Sequence, residues 1–293
     1  MLLEIAIGDA YGAGFEFSRR EKIDLHNDLS AFVPHELGIA AGHYTDDTQM
    51  SVAVAEAMLS GAPLSSDIFA DAFVRCYRRD PRKGYATGFQ ALLDSCDDGA
   101  ALRQRIRPDS RRNGAAMRAV PLGLIANKEE LLAAATAQAR ITHDTEEGIV
   151  SARIVALMAH LLLHQRMPLV QLPSSIRAET GFELRLDWDS DVKCDANETM
   201  HAVATALLRN RSQAKLLRDC VNFGGDVDSV AAIALGLSSL THEYAKDLPD
   251  HLGRTLENGE FGSRFISMLD DRLAERYPVL SQGNPPIFHA GYE

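Results

Sequence analysis

Apolar residues return at i, i+3, i+4 and i+7 along most of this chain. That spacing lines one face of an α-helix and cannot line one face of a strand. It predicts helices over residues 49–60, 67–78, 115–126, 129–140, 146–164, 196–209, 213–221, 229–240 and 262–276. Alanine fills many of the tight positions, so these helices can approach one another closely. Strand signals are short, and only Phe182-Glu183-Leu184-Arg185-Leu186 is tempting. Residues 18–42, 80–88, 106–114 and 172–195 read as loops; the first is longer than an ordinary connection, a length often tied to function. No Pro/Gly/Ser-rich linker divides the chain and no internal repeat is present, so a single all-α domain over 1–293 is expected.

Bulk properties narrow the function. Hydrophobic residues are 46% of the chain, enough for a packed core. A formal charge of −11 gives no general attraction to nucleic acid or to an anionic membrane. Cys76, Cys96, Cys194 and Cys220 form no C-x-x-C pair and read as reduced thiols of a cytoplasmic protein. The N-terminus has no basic region before its apolar residues, which argues against a signal peptide. The most apolar run, 149–163, is interrupted by Arg153 and His160 and reads as a buried helix, so no membrane span is expected. A monomer is expected.

Two acidic clusters carry the chemistry. His43-Tyr44-Thr45-Asp46-Asp47-Thr48-Gln49 leads directly into an apolar helix, where Thr45 or Asp46 fits an N-cap and Asp46 with Gln49 fits a capping box. Capping explains one acid and leaves the second carboxylate and the flanking hydroxyls over. Gly224-Gly225-Asp226-Val227-Asp228-Ser229 repeats the design: a sharp turn, two carboxylates and a hydroxyl at the start of a helix. An EF-hand loop does not fit, because the sixth and twelfth positions from Asp226 are Ala231 and Leu237. Carboxylate and hydroxyl oxygens suit Mg²⁺ or Mn²⁺. Four acids brought together would repel unless cations compensated them, and two divalent ions would suffice. Spacing alone does not show that the clusters meet.

At these residues the chain resembles the ADP-ribosylglycohydrolases. The likeness runs from Gly8 to about Gly262 through motifs in order: Gly8-Asp9-Ala10-Tyr11-Gly12-Ala13-Gly14-Phe15-Glu16-Phe17, Thr45-Asp46-Asp47-Thr48-Gln49-Met50, Asn113-Gly114-Ala115-Ala116-Met117-Arg118, Thr142-His143, and Gly224-Gly225-Asp226-Val227-Asp228-Ser229. The resemblance implies a compact orthogonal multi-helix bundle with two Mg²⁺ (or Mn²⁺) ions at the mouth of an ADP-ribose cleft. Thr45, Asp46, Asp47, Asp226, Asp228 and Ser229 would be the metal ligands; Ser229 stands where many relatives have threonine and keeps the oxygen. Glu16 and Asp47 would be the catalytic carboxylates, with Glu16 the favoured acid/base. Asn113, Gly114, Ala115, Met117 and His143 would line the ligand site.

The implied reaction removes ADP-ribose from a modified protein side chain, arginine-linked being favoured over serine-linked or O-acetyl forms. The alternatives are an ADP-ribose-binding or crystallin-like protein without catalysis, and a phosphoesterase using the same metals. Gly12-x-Gly14 lacks the third glycine and the strand–helix context of a dinucleotide loop; Gly8 and Gly12 read instead as permitting close helix packing. The segment 113–117 reads either as an ordinary helix start or as an anion site. His143 reads either as a hydrogen-bonded structural residue or as a ligand contact. Arg103, Arg105, Arg107, Arg111 and Arg112 read either as a screen for an anionic ligand or target or, the favoured reading, as a solvated charged face. Asp80 is the only acid in 80–88, a region where some relatives carry another functional carboxylate.

Overall fold

The computed structural model describes residues 1–36 and 38–281. These residues form fifteen α-helices, with no named strand among them. In order they are α1 (Leu2–Ala13), α2 (Arg20–His26), α3 (Asp46–Leu59), α4 (Ser66–Arg79), α5 (Thr87–Ser95), α6 (Gly99–Arg105), α7 (Gly114–Met117) and α8 (Lys128–Ala139). The second half adds α9 (Glu146–His164), α10 (Leu172–Thr180), α11 (Ala196–Arg209), α12 (Gln213–Asn222), α13 (Val227–Ser239), α14 (Asp250–Thr255) and α15 (Ser263–Arg276). The all-α expectation holds.

At the centre lies α13. Every residue from Val227 to Ser239 is buried, as expected of a helix apolar on all sides. Its main partner is α1, and two glycines set how close they come. A Cβ on Gly8 would lie 2.5 Å from the Ala231 carbonyl oxygen, and one on Gly12 would lie 2.5 Å from Asp228 Cα. The glycines are therefore packing devices, and alanine at either would force the helices apart at a typical overpacking cost of about 1–3 kcal/mol. This contact fixes the C-terminal end of α1 beside the N-terminus of α13. Helix α9 is long and apolar enough to cross a bilayer by length and composition alone, yet most of it is buried against other helices.

Starts follow side-chain caps. Ser65 accepts from the Ile68 amide, Thr145 from Gly148, and Asp195 from both Asn197 and Glu198. Three expectations fail. The helix expected over 115–126 is the single turn α7, then a 3₁₀ segment Val120–Leu124, because Pro121 removes an amide donor in mid-pattern. The loops expected over 18–42 and 172–195 contain α2 and α10. Phe182–Leu186 is not a strand: Phe182 instead stacks on His201, with ring centroids 5.2 Å apart.

Candidate active site

The two acidic clusters meet. At the start of α3, Thr45 is the N-cap and its hydroxyl accepts from the Asp47 amide. Asp9, wholly buried in α1, organises this turn: it accepts from the amides of Thr45 and Thr48 at 2.9 Å each. Both threonine hydroxyls donate to it as well, at 2.8 Å from Thr45 and 2.5 Å from Thr48. Those hydroxyl protons are thus directed inward, and the carboxylates of Asp46 and Asp47 are left to line a cleft.

The start of α13 is shaped by Gly224 and Gly225, with φ of 80° and 82°. A Cβ on Gly225 would lie 2.0 Å from the Val192 carbonyl oxygen, so neither its backbone angle nor its space admits another residue. Val192 O in turn accepts from the Asp226 amide at 2.8 Å. The turn after α1 is tied to the same place, since the Phe17 amide donates to Gly225 O at 2.8 Å. Phe17 has a φ of 47°, a left-handed conformation uncommon for a non-glycine residue. This turn carries Glu16, whose Oε2 lies 2.7 Å from His35 Nε2.

Glu16, Asp226 and Asp228 each place a carboxylate oxygen within 4.8 Å of the others. Together with Asp46, Asp47 and Ser229 they line one side of a cleft of about 720 Å³. Burial pushes Asp46, Asp47 and Asp228 well above the usual carboxylate range. Their neighbours add to it: Asp9 and Glu16 act on Asp46, Asp46 and Asp9 on Asp47, and Glu16 and Asp226 on Asp228. Asp226 is raised by burial too, with hydrogen bonds from Asn113 and Cys194 among the contacts that oppose the shift. Among the described residues, none of these four aspartates has an ion-pair partner, and Asp47 Oδ1 is buried with no hydrogen-bond partner. A buried set of hard oxygen donors, uncompensated and partly unpartnered, fits a divalent cation.

The rest of the lining includes Glu36, Tyr85, Asn113, His143 and several arginines. Asn113 spends its amide on Asp226 Oδ2, at 2.7 Å, and on Thr199 Oγ1, at 3.0 Å, so it braces the acid cluster from behind. Gly114 and Met117 line the cleft, whereas Ala115 is wholly buried and its carbonyl accepts from Gln138. Thr45 is likewise buried behind the lining, held by Asp9. The helix expected to open an anion site at Asn113 is only the four residues of α7. His143 does reach the cleft. Arg105, Arg107 and Arg112 also line it while remaining exposed, so the charged face expected from sequence is solvated and borders the cleft.

Several contributors were invisible in the sequence. Asp9 sat in a motif between Gly8 and Ala10, but nothing in the spacing pointed it at Thr45. His35 lies in the long connection between α2 and α3, and only the fold brings it to Glu16. Tyr85 lines the cleft and donates to Gln49 Oε1 at 2.7 Å, which ties segment 80–88 to α3. Gly84, with φ of 108°, touches Asp46: a Cβ there would lie 2.1 Å from Asp46 Oδ1. Asp80 is not among the residues lining the cleft; it is ion-paired to Arg82 at 2.6 Å.

Known proteins resemble this arrangement along most of the chain. The family model described as ADP-ribosylglycohydrolase matches residues 1–282. An ADP-ribosylarginine hydrolase Tri1 of Pseudomonas putida is 25% identical over 301 aligned residues, spanning 96% of this chain and 78% of that protein. The ADP-ribosylarginine hydrolase Tri1 of Serratia proteamaculans is 24% identical over 262 residues, spanning 83% and 71%. A solved structure described as an ADP-ribosylglycohydrolase-related protein complex superposes with a TM-score of 0.71 at 25% identity, covering 94% of this chain and 95% of that one. With the helical fold, the convergent acids and a match over nearly its whole length, this chain belongs to the ADP-ribosylglycohydrolase family.

Proposed function

We propose that the protein is a metal-dependent hydrolase that releases ADP-ribose from modified arginine side chains. The observation that carries this reading is the uncompensated acid cluster on one wall of a cleft of about 720 Å³, in a chain of this family. Such a volume lies within the range of small-molecule sites. The arginine linkage is supported by the two relatives named for it, which this chain matches over 71% and 78% of their lengths. The contributing residues run from Asp9 to Ser229, so the reading takes the chain as one functional domain.

Asp46, Asp47, Asp226, Asp228 and Ser229, with the Thr45 oxygen behind them, would hold two Mg²⁺ or Mn²⁺ ions. Such ions, when bound, polarise ribose hydroxyls and lower the pKa of water. The protein's own groups do the rest. Cleavage at the anomeric carbon builds oxocarbenium-like positive charge on the sugar, and the carboxylates around it are placed to stabilise that charge. Glu16 sits at the cleft edge, half-buried and oriented by His35, where a carboxylate can exchange a proton with water or the leaving group. Asp47 is the second catalytic carboxylate. His143, Met117 and the arginines of the lining orient the nucleotide part and exclude water from the sugar.

The test is hydrolysis of arginine-, serine- and acetyl-linked ADP-ribose substrates, each with Mg²⁺ and with chelator. Metal-dependent release of ADP-ribose from the arginine-linked substrate is expected. Release from another linkage alone would overturn the arginine assignment. ADP-ribose binding without any release would make the protein a non-catalytic binder, and release of AMP would make it a phosphoesterase.

A further inference from the structure

The environment of His143 has a hydrogen-bond arrangement with one satisfactory solution. Beneath it lies Arg118, the largest fully buried side chain of the fold, with no carboxylate in ion-pair reach among the described residues. Its guanidinium is held by polar and aromatic neighbours instead. It donates to Gln138 Oε1, to the Gln138 carbonyl at 3.0 Å and to Thr142 Oγ1 at 2.8 Å, and it lies 4.4 Å from the centre of the Phe73 ring. A guanidinium only donates. Thr142 Oγ1 must therefore accept from Arg118, and its one hydrogen must go elsewhere.

The remaining partner is His143 Nδ1, 2.6 Å away. If Nδ1 carried the hydrogen, the Thr142 oxygen would accept twice. Its own hydrogen would then be buried with no acceptor among the described residues, a costly state. With Nδ1 bare, Thr142 accepts from Arg118 and donates to His143, and the neutral ring carries its hydrogen on Nε2. Burial, with the positive charges of Arg118 and Arg112, also pushes His143 down to about 3, so the ring is neutral at ordinary pH. Its Nε2 edge lies against Gly114, where a Cβ would come within 3.2 Å of Nε2 and 2.9 Å of Cε1. The missing side chain at Gly114 leaves that edge uncovered on the cleft.

We propose that Arg118, acting through the Thr142 hydroxyl, fixes His143 as a neutral Nε2–H donor that offers one hydrogen bond to an oxygen of the bound nucleotide. Arg118 and Thr142 are positioning residues, and His143 is a binding group that neither takes nor gives a proton in the reaction. The tautomer assignment rests on this chain's hydrogen bonds alone; the nature of the acceptor rests on the ADP-ribose reading.

Two measurements test it separately. Long-range ¹H–¹⁵N spectra of histidine-labelled protein, with the His143 signal assigned by its loss in His143→Gln, should show Nε2–H with no titration between pH 5 and 8. Thr142→Val should release that tautomer preference and weaken ADP-ribose binding by about tenfold, while Thr142→Ser should restore both. An Nδ1–H ring, a midpoint inside that pH range, or a Thr142→Val protein with unchanged tautomer and affinity would overturn the proposal. If wild-type protein showed the Nε2–H ring but no affinity for ADP-ribose, the functional reading would fail and the relay would stand.

Discussion

Two buried charged clusters lie side by side in this molecule, and they are built on opposite terms. Around Arg82 the chain supplies both signs. The guanidinium is ion-paired with Asp80 and Glu257 and lies 3.8 Å from the Tyr44 ring centre, while Glu257 also accepts from the Tyr44 amide. One residue further along, the chain enters Thr45-Asp46-Asp47 and supplies only the negative sign. The first cluster is a strut in which both carboxylates meet a guanidinium supplied by the chain. The second is left unbalanced, and Asp47 Oδ1 in it is buried without a hydrogen-bond partner. The strut also serves the site, because it anchors the 80–88 segment that presses Gly84 against Asp46. A buried carboxylate is thus structural or functional according to whether the fold itself neutralises it.

The sharpest way to break this contrast is to remove one charge from each cluster. Asp228→Asn should lower turnover of an ADP-ribosylated substrate by about 10³-fold or more. In chelator the same variant should melt no lower than wild type, because it loses a carboxylate that burial and its neighbours disfavour in the charged form. Arg82→Met should do the reverse. It strands Glu257, which is 7% exposed, and should cost about 3–5 kcal/mol in urea unfolding. Its turnover below the melting temperature should fall far less than that of Asp228→Asn. Equal stability losses in the two variants would mean that both clusters are structural.

A smaller effect concerns His143, the buried base held neutral beside a buried cation. Its folded-state value lies near 3 against an ordinary 6.5. Between those values the unfolded chain binds the extra proton and the folded chain does not, so stability falls as pH falls through that window. The contribution is complete above about 6.5 and drains away toward 3. The stability difference between wild type and His143→Gln, measured by urea unfolding from pH 7 to pH 4, should therefore shrink with acidification. A constant difference would mean that His143 titrates alike in both states.

Much of this was legible beforehand, and the omissions have physical reasons. Helices α9 and α11 match their expected limits because each carries an uninterrupted apolar face and a side-chain cap. The acidic clusters were legible because two carboxylates and a hydroxyl exceed what capping requires. Gly8 and Gly12 lower helix propensity and hide α1 from the periodic pattern; close helix packing at them was legible, but the partner, α13, lies more than two hundred residues away and was not. Pro121 is a helix stop written inside the 115–126 pattern. Asp9, His35 and Arg118 act through long-range hydrogen bonds, which no local pattern encodes.

The central claim is that the acids at the starts of α3 and α13 are left unbalanced to receive divalent cations. Calorimetric titration of chelator-treated protein with Mn²⁺, run beside Asp228→Asn, tests it most directly. Saturable binding of two equivalents by wild type, weakened or reduced in the variant, is the predicted result. Absence of binding by wild type, or identical binding by both proteins, would contradict it.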